Sequence, residues 1–181
     1  RDYEPLAIAR DAEIAERLRD AGIDFRTRKD QVIFELSEVR TRSGDAFSVF
    51  TPYKKAWLAK LAPRHIAPLE IGRLASRLAP TPAGPMPAHE ALRFERAEPP
   101  LPAGMSGGAR LWKTFRKRLA GYAARRDFPA LEANSRMSVH LRFGTISVRE
   151  LVRHARKRHS AGAEAWLSEL IWREFYFAIL A

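Results

Sequence analysis

Between Ile8 and Ala21 apolar and charged residues alternate at helical spacing, with Ile8, Ala15, Leu18 and Ala21 on one broad face. Gly22 supplies a stop, and Ile23-Asp24-Phe25 then predicts a short strand. The β-branched and aromatic run Val32-Ile33-Phe34, inside Gln31–Leu36, predicts a second extended segment. A turn at Ser43-Gly44-Asp45 follows, leading into Ala46–Phe50. Thr51-Pro52 predicts a helix start, with Thr51 as N-cap and proline at the first helical position. That helix carries Tyr53, Trp57, Leu58 and Leu61 and stops at Pro63. Helix, strand and helix in this order predict the closing part of an α/β domain over residues 1–62.

The pattern changes after residue 62. Residues 63–108 hold most of the twelve prolines and no long periodic segment, so they read as a linker packed over a surface, with a short helix near Ile71–Leu78. From Arg110 the spacing is helical again. Trp112, Phe115, Leu119 and Tyr122 fall at i, i+3, i+7 and i+10. By default Gly107-Gly108 is the end of the linker. Ser147-Val148-Arg149-Glu150 is a capping box opening a helix to about Arg158. A further helix from about Glu164 to the end is apolar on nearly every side, which predicts burial in a large helical domain over residues 109–181 that begins here. The fold class expected is α/β plus all-α: the end of a Rossmann-like domain, a linker, and the first helices of an all-helical one. Arg1 at one end and an uncapped aromatic helix at the other suggest an internal piece of a longer protein.

Charge alters this picture more than length does. The 181 residues carry a net charge of +11, yet residues 107–181 alone hold 15 basic and 6 acidic residues. Such an asymmetry points to a polyanionic partner for the second part. The absence of cysteine excludes disulfide scaffolds, thiolate zinc sites and thiol nucleophiles, and fits a reducing cytoplasm. No apolar run reaches the roughly 18–20 residues of a membrane span, and no leader pattern opens the chain.

Candidate chemistry is sparse. His154 and His159 are five apart and fall on different sides of a helix, so no metal site is expected. No phosphate-binding Gly-x-x-x-x-Gly-Lys loop and no Gly-x-Ser-x-Gly elbow is present. One stripe does stand out. Glu169, Trp172, Arg173 and Tyr176 lie at i, i+3, i+4 and i+7 of the last helix. They read either as a Glu169–Arg173 ion pair beside a core tryptophan, or as a pocket in which Trp172 stacks on a planar ring and Glu169 holds its polar edge. Two further segments suit phosphate: the loop Asn134-Ser135-Arg136-Met137-Ser138 and the basic turn Arg125-Arg126-Asp127-Phe128-Pro129.

Taken together, these residues resemble the DNA photolyase/cryptochrome family, and within it the bacterial cyclobutane pyrimidine dimer photolyases. The resemblance rests on Tyr3-Glu4 with Ala9-Arg10-Asp11, Val49-Phe50-Thr51-Pro52-Tyr53 with Ala56-Trp57, and Arg126-Asp127-Phe128-Pro129. It continues through Ser135-Arg136-Met137-Ser138, His140–Ser147, and Trp166 with Glu169–Tyr176, in family order along the whole chain. It implies a light-driven lyase in which reduced, excited FAD donates the electron that splits a pyrimidine dimer. The implied FAD-binding positions are Tyr122, Asn134, Ser135, Arg136, Met137, Ser138, Trp166, Glu169 and Arg173. Arg126 is implied as a DNA phosphate contact, with Glu169 and Trp172 touching the flipped dimer as the catalytic pair.

Two positions depart from the family pattern: Asn134 stands where threonine is usual, and Ala7 where folate-using members carry glutamate, which argues against a folate antenna. The partner implied is UV-damaged DNA, met by a monomer. The piece by itself is expected to hold FAD poorly and to repair nothing. A cryptochrome-like photoreceptor and a non-catalytic basic nucleic-acid-binding module are the alternatives. Glu169 favours repair over signalling, because animal-type cryptochromes carry glutamine there.

Overall fold

The computed structural model describes residues 1–35, 37–80, 84–93, 95, 97–98 and 100–180. Leu36 and Ala181, at the ends of two expected elements, lie outside them. The element order is α1 (Pro5–Asp20), α2 (Phe50–Lys60), a 3-10 turn (Pro63–Ile66), α3 (Ile71–Leu74) running into a 3-10 turn (Ala75–Arg77), α4 (Gly104–Arg118), a 3-10 turn (Leu119–Gly121), α5 (Tyr122–Arg125), α6 (Ser138–Arg142), α7 (Val148–Arg156) and α8 (Ala161–Leu180). Among the described residues there is no strand, so the Rossmann-like character expected of residues 1–62 is not seen.

Helix α1 starts on Pro5 and ends as the sequence predicts. Gly22 takes φ +70°, and the Ile23 N–H reaches back to the Leu18 carbonyl at 2.8 Å, a left-handed helix stop that glycine reaches without steric cost. Its apolar face, however, is not buried: no residue of α1 is, and Leu6, Ile8 and Ile14 are exposed. Helix α2 begins at Phe50, one residue before the expected cap. Val49 is the N-cap and no side chain caps the helix, so Thr51 lies inside its first turn.

Ile23-Asp24-Phe25, expected as a short strand, has no regular structure; the run Val32-Ile33-Phe34 is buried to within 2% but pairs with side chains. Glu174 accepts the N–H groups of Ile33 and Phe34 at 2.7 and 2.8 Å. Arg173 donates to the Gln31 carbonyl at 2.6 Å, and Arg149 to those of Asp30 and Lys29 at 3.2 Å. Buried backbone groups must be paired by something; here α7 and α8 supply the partners that a sheet would otherwise provide.

The helical part follows its pattern closely. Trp112, Phe115, Leu119 and Tyr122 are all buried, on a face that runs from α4 through the 3-10 turn into α5. Helix α4 begins at Gly104, so Gly107 and Gly108 are helical and not a linker end. A Cβ on Gly108 would come within 3.0 Å of the His140 ring, which explains the residue better than flexibility does. Ser147 caps α7, its hydroxyl accepting the Glu150 N–H at 3.4 Å. Val148, Leu151, Val152 and Ala155 then face inward at i, i+3, i+4 and i+7. Helix α8 is central: Ala163, Trp166, Leu167, Leu170, Ile171 and Phe175 are buried along it. Its second residue, Gly162, lies against the carbonyls of Leu119 and Ala120, where any Cβ would collide.

Candidate functional site

Three elements converge on one face of α8. Glu169 projects toward the end of α5, where it accepts a hydrogen bond from Arg126 Nη1. The pair is about a third exposed on each side. The Arg126 guanidinium also donates to Asp127 at 3.2 Å and lies 5.8 Å from the Tyr122 ring. The Glu169 carboxylate raises the Arg126 pKa. Burial, with Glu169 nearby, likewise pushes the Tyr122 hydroxyl up, so it stays protonated at neutral pH.

Glu169 and Arg173 are one turn apart but do not pair. Arg173 turns to the opposite side, donating to the carbonyls of Gln31 and Leu141 and lying over the Phe177 ring at 4.7 Å. Its burial depresses its pKa. The i,i+4 ion pair allowed by the spacing is thus absent: Arg126, distant in sequence, competes better for Glu169, and backbone carbonyls compete better for Arg173.

Trp172 is half-buried on the same stripe as Glu169. Its indole lies flat on the Phe50 ring of α2, with centroids 3.6 Å apart and planes 10° apart. Tyr176 follows one turn on, at 5.5 Å and 25°. Trp166, two turns before Arg173, is fully buried and stacks on Trp112 at 5.1 Å with planes 16° apart.

The phosphate-type loop lies beside α5. Asn134 and Ser138 are exposed, Ser135 is half-buried, and the Met137 side chain is buried as an anchor. Arg136 is held at φ +52°, its side chain in solvent 3.6 Å from Glu132. The Ser135 hydroxyl accepts the Met137 N–H at 3.4 Å, which tightens the turn. A cavity of about 390 Å³ adjoins it, lined by Arg118, Tyr122, Arg125, Leu131, Glu132 and Ala133. A larger cleft, about 690 Å³, lies elsewhere, between α4 and α7. No group of three or more His, Cys, Asp and Glu residues suited to a metal occurs among the described residues. His154 faces Glu150 at 3.7 Å, and burial lowers its pKa.

One residue that sequence patterns did not single out is Glu174. It is 3% exposed, and besides Ile33 and Phe34 it accepts the Trp57 indole N–H at 2.6 Å. Burial drives its pKa up to about 7 against the pull of its three donors. The available signal was a carboxylate set between Ile171 and Phe175, on the inward side of an apolar helix.

This fold is similar to that of known photolyases. The fold matches a bacterial class III photolyase from Agrobacterium tumefaciens with a TM-score of 0.82 and 27% identity, over 99% of this chain and 39% of that one. Residues 1–73 match the sequence model described as DNA photolyase. The deoxyribodipyrimidine photo-lyase of Vibrio cholerae is 36% identical over 100% of this chain, and that of Halobacterium salinarum 33% identical over 99%; the chain covers 40% of each. The Escherichia coli deoxyribodipyrimidine photo-lyase is 32% identical over 96% of the chain. The chain is thus similar along nearly its whole length to DNA photolyases, and spans about 40% of the length of these relatives. No described helix is long and apolar enough to cross a membrane.

Proposed function

We propose that this chain is part of a light-dependent DNA repair enzyme that binds FAD and splits cyclobutane pyrimidine dimers. The observation that carries the reading is the placement of Arg126, Glu169 and Trp172 on adjoining surfaces of α5 and α8: a cation, a carboxylate and a half-buried indole. A phosphate oxygen suits Arg126, the polar edge of a flipped base suits Glu169, and a planar ring suits Trp172. Stacking on one aromatic side chain contributes roughly 1–3 kcal/mol per base. Extruding a damaged, poorly stacked base costs only a few kcal/mol.

The residues present fit a flavin dinucleotide. Ser135, Ser138, Asn134 and the Arg136 backbone offer hydroxyl, amide and N–H groups to phosphate, on a loop that the buried Met137 side chain anchors. The neighbouring cavity brings Arg118 and Arg125 to the same side, with Tyr122 as an aromatic wall. Trp166 and Glu169 are the α8 positions for the rest of the group. Arg173 belongs to the expected set and would act from its seat on the Gln31 and Leu141 carbonyls, where it holds α8 in place. When bound, FAD supplies light absorption and a one-electron donor. The protein side chains orient the dimer, exclude water and hold the Arg126–Glu169 pair.

In this reading residues 1–62 close an antenna domain, 63–108 link, and 109–181 open the flavin domain. Helix α4 then starts inside the linker's last residues. The test is binding and repair by the intact protein on duplexes with and without a thymine dimer. Trp172→Ala is expected to weaken dimer-containing DNA selectively and to abolish repair under blue light. Equal weakening of both duplexes would leave only a basic module that grips phosphates. Intact protein that takes up no FAD would sink the assignment.

A further inference from the structure

The aromatic stripe of α2 has a role that the proposed site does not yet use. Phe50, Tyr53 and Trp57 fall at i, i+3 and i+7, on one face. All three dock on α8: Trp57 through its N–H to Glu174, Tyr53 at 5.0 Å from the Phe175 ring, and Phe50 flat against Trp172. The Trp57–Glu174 bond fixes one end of α2, and Phe50 is the helix's first residue at the other. Phe175 closes the corner, edge-on to both Phe50 and Trp172, at 5.8 and 5.6 Å. Tyr176 also lies near the half-buried indole, at 5.5 Å, and Phe175 meets it edge-on, but neither ring is in face-to-face contact with it. A parallel ring at 3.6 Å allows one plane.

We propose that Phe50 is a positioning residue: it fixes the plane of the Trp172 indole, so that a flipped pyrimidine dimer meets a preset aromatic surface. The inference rests on the assignment of Trp172 as the stacking residue. Phe50 touches neither substrate nor cofactor in this scheme; it acts through Trp172. It also makes the first part of the chain a contributor to recognition carried out by the second.

The test uses the intact protein with three variants: Phe50→Leu, which keeps apolar volume and removes the ring, Phe50→Tyr, which keeps the ring, and Trp172→Ala. Affinity is measured for dimer-containing and undamaged duplexes, together with iodide quenching of tryptophan fluorescence. Phe50→Leu should lower affinity for dimer DNA about 3- to 10-fold, the range expected of one aromatic pair, and leave undamaged DNA unchanged. It should also make tryptophan emission more open to iodide, and Phe50→Tyr should restore both. A loss of fold alone would weaken both duplexes together.

If Phe50→Leu binds dimer DNA as tightly as the parent or more so, Phe50 covers the ring instead of presenting it, and the proposal fails while Trp172 keeps its role. If Trp172→Ala itself leaves dimer selectivity intact, the reading of Trp172 fails and takes this inference with it.

Discussion

Glu174 of α8 accepts the indole N–H of Trp57 of α2 at 2.6 Å, across 117 residues of chain. The same carboxylate takes the Ile33 and Phe34 N–H groups, so three segments meet on one ionisable side chain. A buried carboxylate with three donors is costly to disturb, because each donor loses its partner in a place water cannot reach. Glu174→Gln is expected to destabilise the protein by about 2–3 kcal/mol, since the amide must turn an N–H toward at least one of those donors. Thermal denaturation checks it.

The same residue predicts a pH dependence. Its pKa rises from the usual 4.5 to about 7 on folding, so the folded state binds this proton more tightly than the unfolded chain does. Its stabilising contribution is therefore fully present below pH 4.5 and declines as pH rises to about 7. Above that it is constant, the whole change amounting to about 3 kcal/mol. Urea denaturation between pH 4.5 and 8 should show this slope in the parent and a flatter one in Glu174→Gln. An identical slope in both would assign the dependence to other groups.

Arg126 and Glu169 are partly exposed, so their ion pair contributes about 0–1 kcal/mol to stability and its removal should scarcely move the melting temperature. In the proposed function it acts on binding instead. Glu169→Gln removes the charge that restrains Arg126, which frees the guanidinium for phosphate. Undamaged DNA is then expected to bind somewhat more tightly while selectivity for dimers falls. Arg126→Ala should weaken both duplexes alike and reduce the slope of log K against log salt by about one. Fluorescence anisotropy across a salt series separates these outcomes.

Much of the helical part was legible because its signals are local. The spacing of Trp112, Phe115, Leu119 and Tyr122 fixes a face whatever surrounds it, and a serine three residues before a glutamate satisfies the same helix end anywhere. The misreadings share a different cause. Val32-Ile33-Phe34 has the composition of a buried extended segment, but composition says nothing about who bonds to its backbone, and α8 side chains do so in place of a strand. The Ile8 face of α1 has helical spacing, yet none of its residues is fully buried: Ala15 and Leu18 are half-covered and Ile8 is exposed. Spacing offers Arg173 to Glu169, yet the choice between that pair and Arg126 with Glu169 is made by tertiary packing. The stripe Glu169–Trp172 was visible in sequence; Phe50 against it was not, because nothing local links residues 50 and 172.

Gly107-Gly108 teaches the same point about glycine, and Gly162 makes it testable. A Cβ at Gly162 would sit 2.0 Å from the Leu119 carbonyl oxygen and 2.5 Å from that of Ala120. Both obstacles are backbone, so no rotamer change relieves them, and the start of α8 would have to lift from the turn that joins α4 to α5. Gly162→Ala is expected to cost about 2–4 kcal/mol and to lower the melting temperature by about 5–15 °C. Gly22 provides the contrast: its φ is +70°, but a methyl group there would meet nothing within 4 Å. Gly22→Ala should therefore cost only the left-handed penalty of about 1–2 kcal/mol, and Gly22→Asn less, since asparagine visits that region more readily. Gly162→Asn, by the same logic, should be no better than Gly162→Ala, because crowding and not dihedral preference sets its cost. Equal melting temperatures for the Gly22 and Gly162 alanine variants would show that α8 yields at its first turn, and that the α4–α5 turn does not fix it there.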